Sequence, residues 1–357
     1  MSAVIDTHRS PAGTRVPGAH ARVIEHAFDA PPIGVLLFNM GGPGTLDEVE
    51  PFLVNLFSDR DIIELPMGAL LQPVVARIIA RARGNGVRRN YASIGGGSPQ
   101  LRLTRAQALA LNDRLDRASG RRHIVEIAMR YWQPDTETAL RRLAAEGVSR
   151  IVTVTLYPHY SRATTGSSRR EFERVLAEPR WQGRFDVSHV EAYPDHPLYL
   201  DAMADNVRRA LDGFPDHRRD HVTVLFSAHG LPQKFVDEGD PYVEHTHRTV
   251  QGILDRVAMP NRHVIGFQSR TGPVTWIGPG TKDVLRDLGR QGVKEVLMVP
   301  VSFVSDHIET LYEVDQLFRG DAAAAGILDY RRSAALNTHP LYIQALVDLV
   351  ERQLTVA

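Results

Sequence analysis

Cysteine is absent from this chain of 357 residues, and its absence excludes disulfides, thiolate zinc sites, iron–sulfur clusters and cysteine nucleophiles together. A reducing cytoplasm is the expected compartment. Lysine stands only at Lys234, Lys282 and Lys294, so a Schiff-base or phosphate-loop lysine has few places to sit. The formal net charge is zero and the pI near 7.3. No overall field therefore draws the chain to nucleic acid or anionic lipid, and any membrane contact must be local. Residues 1–31 mix Arg, Pro, Gly, His and Ala without a sustained apolar stretch. They read as a flexible extension rather than a secretory signal.

With 43% hydrophobic residues, the chain can bury a large core and has room for about two domains. Short apolar runs at 34–38, 123–128, 151–156, 222–226, 263–267 and 295–299 alternate with helical patterns at 101–118, 135–146, 199–213, 241–257 and 281–291. Such alternation predicts an α/β fold, with parallel sheets covered by helices on both faces.

The halves also repeat. Pro134, Thr136, Leu140, Arg141, Leu143, Gly147 and Val148 align with Pro279, Thr281, Leu285, Arg286, Leu288, Gly292 and Val293 at one constant offset. Val35–Gly41 matches Thr223–His229 in pattern. Two similar doubly wound domains facing each other across a cleft are the expectation, with chemistry confined to the second half.

That second half carries the informative residues. The run Val222–Phe226 leads straight into Ser227-Ala-His229-Gly-Leu-Pro232, and Val296–Pro300 leads into Val301-Ser-Phe-Val-Ser-Asp306-His307-Ile-Glu309-Thr-Leu-Tyr-Glu313. Ligands of open α/β sheets bind at the carboxyl ends of strands. Two imidazoles and a row of carboxylates at two such ends therefore read as one metal-handling site without a thiolate. Capping offers a plainer account, because Ser305 or Asp306 suits a helix start and Glu309 follows Asp306 in capping-box spacing. Against capping alone, Asp306, Glu309 and Glu313 would line one helical face, where like charges repel. His229, between an apolar strand and a Gly-Leu-Pro turn, suits a general base of near-neutral pKa.

Other features are weaker. The hydroxyl-rich stretch 156–168 and Gly95-Gly-Gly-Ser98 can cradle an anion, but neither has a nucleotide-binding pattern. Residues 65–83 are apolar and then basic, and Pro73 and Arg77 make them too short and broken to span a bilayer. They read either as a buried core helix or as an interfacial lip resting on lipid.

Asn39-Met40-Gly41-Gly42-Pro43, Gly95–Pro99, Met129-Arg130-Tyr131, Leu156-Tyr157-Pro158, Thr164–Ser167, Phe226–Pro232, Gly272-Pro273 with Trp276, and Phe303–Glu313 together resemble the ferrochelatase family. The match runs in order from about residue 33 to 315. The family inserts Fe(II) into protoporphyrin IX as the last step of haem synthesis. The resemblance implies two Rossmann-like domains, at 32–195 and 196–334, after the extension 1–31. The first domain carries the lip 65–83 and is completed by a C-terminal helix within 335–357. By resemblance His229, Glu309 and His307 are catalytic, His229 and Glu309 also meet the metal, and Asp306 and Glu313 form a track for protons or metal. Met40, Tyr91, Arg130, Tyr131 and Trp276 carry over to the porphyrin pocket, with Arg83 pairing with the propionates. Fe(II) is then substrate, with no permanent cofactor and no iron–sulfur cluster. Protoporphyrin IX, a peripheral contact with the inner face of the membrane and no nucleic acid complete the expected partners. Coproporphyrin III or cobalt chelation, or a carrier without catalysis, are the alternatives.

Overall fold

The computed structural model describes residues 30–62, 71–270, 272 and 274–355. Residues 1–29 of the extension, residues 63–70, which include the first part of the lip, Thr271, Pro273 and the last two residues of the chain lie outside the described residues.

Two four-stranded parallel sheets organise the molecule. The first contains β1 (Ile33–Asn39), β2 (His123–Met129), β3 (Arg150–Thr155) and β4 (Asp186–Val190), in the order β2-β1-β3-β4. The second contains β5 (Thr223–His229), β6 (His263–Gln268), β7 (Glu295–Pro300) and β8 (Asp329–Arg332), in the order β6-β5-β7-β8. The orders are identical, as the sequence repeat predicts. The helices are α1 (Val49–Ser58), α2 (Gln72–Ser93), α3 (Gln100–Ser119), α4 (Thr136–Ala145), α5 (Ser167–Leu176), α6 (Pro197–Asp212), α7 (Tyr242–Val257), α8 (Thr281–Arg290) and α9 (Pro340–Thr355), with shorter turns between them.

The six apolar runs became β1–β3 and β5–β7. β1, β3, β5 and β7 lie inside their sheets and are buried almost throughout, as parallel sheets require, while β2 and β6 lie at the edges and are buried mainly toward their carboxyl ends. In β1, Val35 and Leu37 point into a core shared by both sheets, while Leu36 and Phe38 meet α4 and α5 on the other side. In β5, Val224 and Phe226 enter the same shared core and Leu225 turns to a separate one beneath α8. Helix α9 closes the shared core from below, packing on α3, β3 and β4 of the first sheet and on α6 of the second half. Its Tyr342, Leu346 and Val350 are fully buried. Truncating such a side chain to Ala costs about 2–5 kcal/mol.

Sequence patterning missed β4 and β8, whose segments Asp-Val-Ser-His-Val and Asp-Tyr-Arg-Arg contain no apolar run. Each lies at one edge of its sheet, and only one residue of each, Val190 and Tyr330, is buried. It also missed α1 and α5. Pro73, read as a break, opens α2 at its first turn, where the missing N–H costs nothing. Among the described residues no helix is long and apolar enough to cross a membrane.

Candidate active site

β5 and β7 are direct neighbours, paired from Thr223↔Val296 to Ser227↔Pro300. Their carboxyl ends therefore deliver His229 and the segment 301–308 to one edge. A π-helix, Glu309–Phe318, follows. His229 Nε2 lies 3.5 Å from Glu309 Oε1. The imidazole is oriented from behind, since Nδ1 lies 2.6 Å from the Gly230 carbonyl and therefore donates to it. Its backbone N–H donates to Ser302 Oγ at 3.1 Å, and that hydroxyl pairs with the Tyr242 hydroxyl at 2.6 Å.

The electrostatics bind the pair. Burial works against the His229 cation, but the Glu309 carboxylate, helped by Glu313 and the Gly230 carbonyl, outweighs it and raises the pKa to about 9. The near-neutral base expected from the sequence is thus a cation at rest. Glu309 is held below the usual carboxylate range, with burial opposing and the His229 charge prevailing. Its second oxygen, Oε2, is buried and makes no hydrogen bond among the described residues. Glu313, one turn along the π-helix, is pushed up to about 7 by burial and by the Glu309 charge. It accepts hydrogen bonds from Ser269 Oγ at 2.6 Å and Gln268 Nε2 at 3.2 Å.

His307 plays against Phe303, their rings 4.2 Å apart and near-perpendicular. Its Nδ1 accepts from the backbone N–H groups of Glu309 at 3.1 Å and Thr310 at 3.4 Å. Neither Ser305 nor Asp306 caps the helix in the way its spacing suggests. The Asp306 carboxylate instead pairs with Arg332 at 3.0 Å and accepts from the Asn337 amide at 3.0 Å and Thr310 Oγ1 at 3.1 Å. It is turned from Glu309 and Glu313 toward the body of the second half.

The first half supplies the opposite wall. Ile308, immediately before Glu309, packs into an apolar cluster of Phe52, Tyr91 and Tyr131 with Met40 and Trp132 at its margin. That contact carries Glu309 to the first half, where its charge, after burial, raises the pKa of the Tyr91 hydroxyl. Arg130 and Tyr131 lie at the end of β2 and converge on Asp59 Oδ2, at 2.9 Å from the guanidinium and 2.6 Å from the hydroxyl. Ser167 joins them through Arg130 Nε at 2.7 Å. Trp276 sits over Gly230, where a Cβ would come within 3.3 Å of the indole. Arg83 stands exposed on α2, over the Phe57 ring at 5.9 Å.

Asp59, Tyr242, Ser302, Ser269 and Gln268 escaped the sequence reading. Ser302 lies in the run after β7 but was given no role, and the others lie outside the motifs, so only proximity in space connects them to the site. Among the described residues no three His, Cys, Asp or Glu side chains are grouped closely enough to hold a metal ion. The groove of about 610 Å³ lined by Asp201, Asp205 and His339 lies on α6 and the start of α9, outside this constellation.

Two duplicated parallel α/β halves, with an imidazole–carboxylate pair at adjoining strand ends, give the chain the fold of the chelatases. In fold the chain is similar to SirB from Bacillus subtilis with Fe3+, with a TM-score of 0.52 at 14% identity over 90% of this chain and 95% of that one. It is likewise similar to a cobalt complex of the sirohydrochlorin chelatase SirB, with a TM-score of 0.51 at 12% identity over 90% and 95%. The family model for ferrochelatase matches residues 32–354. The ferrochelatase of Geobacter metallireducens is 51% identical over 89% of this chain and 97% of its own length. That of Synechocystis sp. is 46% identical over 89% and 81%. The chain belongs to the ferrochelatase family, and its activity is insertion of iron into a porphyrin in haem synthesis.

Proposed function

We propose that the porphyrin is protoporphyrin IX, that His229 removes its pyrrole protons, and that Glu309 receives Fe(II) and then protons. The observation that carries this reading is the His229–Glu309 pair at 3.5 Å, with the second oxygen of Glu309 buried and unbonded. Such an oxygen suits a cation or a proton, and nitrogen and oxygen ligands that bind iron moderately suit handing it on.

The resting cation on His229 explains how the steps couple. While Glu309 is anionic it keeps the imidazole protonated. Fe(II) arriving at Glu309 offsets that charge, so the imidazole releases its proton and Nε2 becomes a base for a pyrrole N–H. Iron then binds all four ring nitrogens while the two pyrrole N–H bonds break, one proton passing to His229 Nε2 and the other to the Glu309 carboxylate once it has handed the iron on, so that the dianionic ring balances the Fe(II) charge. Glu313, with a pKa near 7, is matched to pass protons outward near neutral pH. Met40, Tyr91, Arg130, Tyr131 and Trp276 line the porphyrin side, and Arg83 meets a propionate. Asp306, being paired with Arg332, acts on the loop and not on the track.

A peripheral membrane contact fits α2. Leu71, Val74 and Ile78 are 44%, 50% and 64% exposed, among the exposed Arg77 and Arg81. This is the pattern of an interfacial helix, and it suits a substrate delivered from lipid.

The deciding experiment measures porphyrin binding and metallation separately in His229→Ala and Glu309→Gln. Both variants should still quench Trp fluorescence on adding porphyrin, yet insert iron at least about a hundredfold more slowly. The double variant should be little worse than either, because both interrupt one route. Normal turnover, or binding lost in proportion to activity, would sink the assignment and favour a carrier.

A further inference from the structure

We infer that His307 is a positioning residue, the N-cap that sets Glu309 against His229. The inference rests on the role of Glu309 proposed above. The π-helix begins without a side-chain cap from Ile308, the residue before it. Helix N-termini leave backbone N–H groups unpaired, and a cap normally accepts from the second or third residue after it. His307 does this with Nδ1, which accepts from both Glu309 and Thr310. With Nδ1 so used, the remaining ring proton belongs on Nε2, and Nδ1 has no lone pair left for iron or for a pyrrole proton.

The surrounding contacts lock the same geometry. Thr310 Oγ1 accepts from the His307 backbone N–H at 3.1 Å and itself approaches Asp306 Oδ1 at 3.1 Å. Leu311 N–H donates to the His307 carbonyl at 2.9 Å. Phe303, standing edge-on to His307 at 4.2 Å, also faces His229 at 6.3 Å. The ring of His307 is thus pinned on one side by the backbone it caps and on the other by an aromatic that touches the base. Losing the cap would free the first turn, in which Glu309 is the second residue, after Ile308. The 3.5 Å approach to His229 depends on where that turn begins.

Asn separates a cap from an acid, base or ligand, because its amide oxygen occupies the place of Nδ1 and accepts the same backbone N–H groups without titrating near neutral pH. His307→Ala and His307→Asn are compared in the full-length protein for kcat, KM for porphyrin and thermal midpoint. His307→Ala should lower kcat at least about tenfold with KM for porphyrin within about twofold, and His307→Asn should recover kcat to within about threefold of the parent, the cap being the interaction both residues share. An Asn variant that folds and is as slow as the Ala variant overturns the inference, since the imidazole itself is then required. An Ala variant of full activity overturns it as well. If Ala fails to fold, the Asn variant decides alone: near-parental kcat supports the cap, and a loss of tenfold or more refutes it. Glu309→Gln in the same assays keeps the two proposals apart. Normal turnover there removes the role of Glu309, whatever the His307 variants do.

Discussion

Asp59 holds Arg130: the carboxylate on the loop after α1 lies 2.9 Å from the guanidinium at the end of β2, with both side chains largely out of solvent. The same oxygen takes the Tyr131 hydroxyl at 2.6 Å. Burial opposes the Asp59 charge, but Ser167, Tyr131 and Arg130 together keep its carboxyl below the ordinary value. Arg130 and Tyr131, which we propose face the porphyrin, are therefore held in place by an acid that the sequence reading gave no role.

Asp59→Ala should consequently strand a buried guanidinium. Breaking one partner of a buried pair costs about 3–5 kcal/mol, so denaturant unfolding should show a loss of that order. A change below about 1 kcal/mol, the range of exposed pairs, would show the network to be incidental.

Removing the charge of Glu309 should lower the pKa of His229. In Glu309→Gln the burial of the imidazole is no longer outweighed by the carboxylate, so the value falls from about 9 toward or below that of a free imidazole, about 6.5. An NMR titration of the imidazole reads this directly. An unchanged value would place the support of the cation elsewhere.

Glu313 gives a stability signature of definite sign. Its folded pKa of about 7 stands above the unfolded value of 4.5, so folding favours its protonated form. That contribution is fully present below the unfolded value and is lost as pH rises toward 7. Glu313→Gln should therefore raise the thermal midpoint more at pH 8 than at pH 4.5, and an equal gain at both would contradict the burial argument.

The exposed face of α2 gives a membrane test. Val74→Ser with Ile78→Ser removes apolar area that is already in solvent, so the melting temperature should hold while liposome binding weakens and the apparent KM for lipid-borne porphyrin rises. Global unfolding would instead favour a core helix. Leu70, part of the same lip in sequence, lies outside the described residues.

Arg83→Ala should weaken binding of the dicarboxylate porphyrin more than of its dimethyl ester, because charge-assisted Arg–carboxylate bonds vanish with the ester. Equal losses would assign Arg83 to packing on Phe57, over which it lies.

Local patterning alone determined the central strands, most of the covering helices and the duplication, because two-sided burial writes an apolar run and a repeated unit writes a constant offset. It also placed His229 and Glu309 at strand ends. What only the tertiary structure decided is which groups meet. Asp306 and Glu313 look alike in sequence, yet one is matched by Arg332 and Asn337 and the other faces Glu309, Ser269 and Gln268. An i→i+5 helix leaves no signature separable from an α-helix over so short a span, so the face shared by Glu309 and Glu313 was legible but its geometry was not. The cation on His229, the Ile308 contact that joins the halves and the Asp59 network all come from residues distant in sequence. Their energies depend on separation and burial, which side-chain order does not encode.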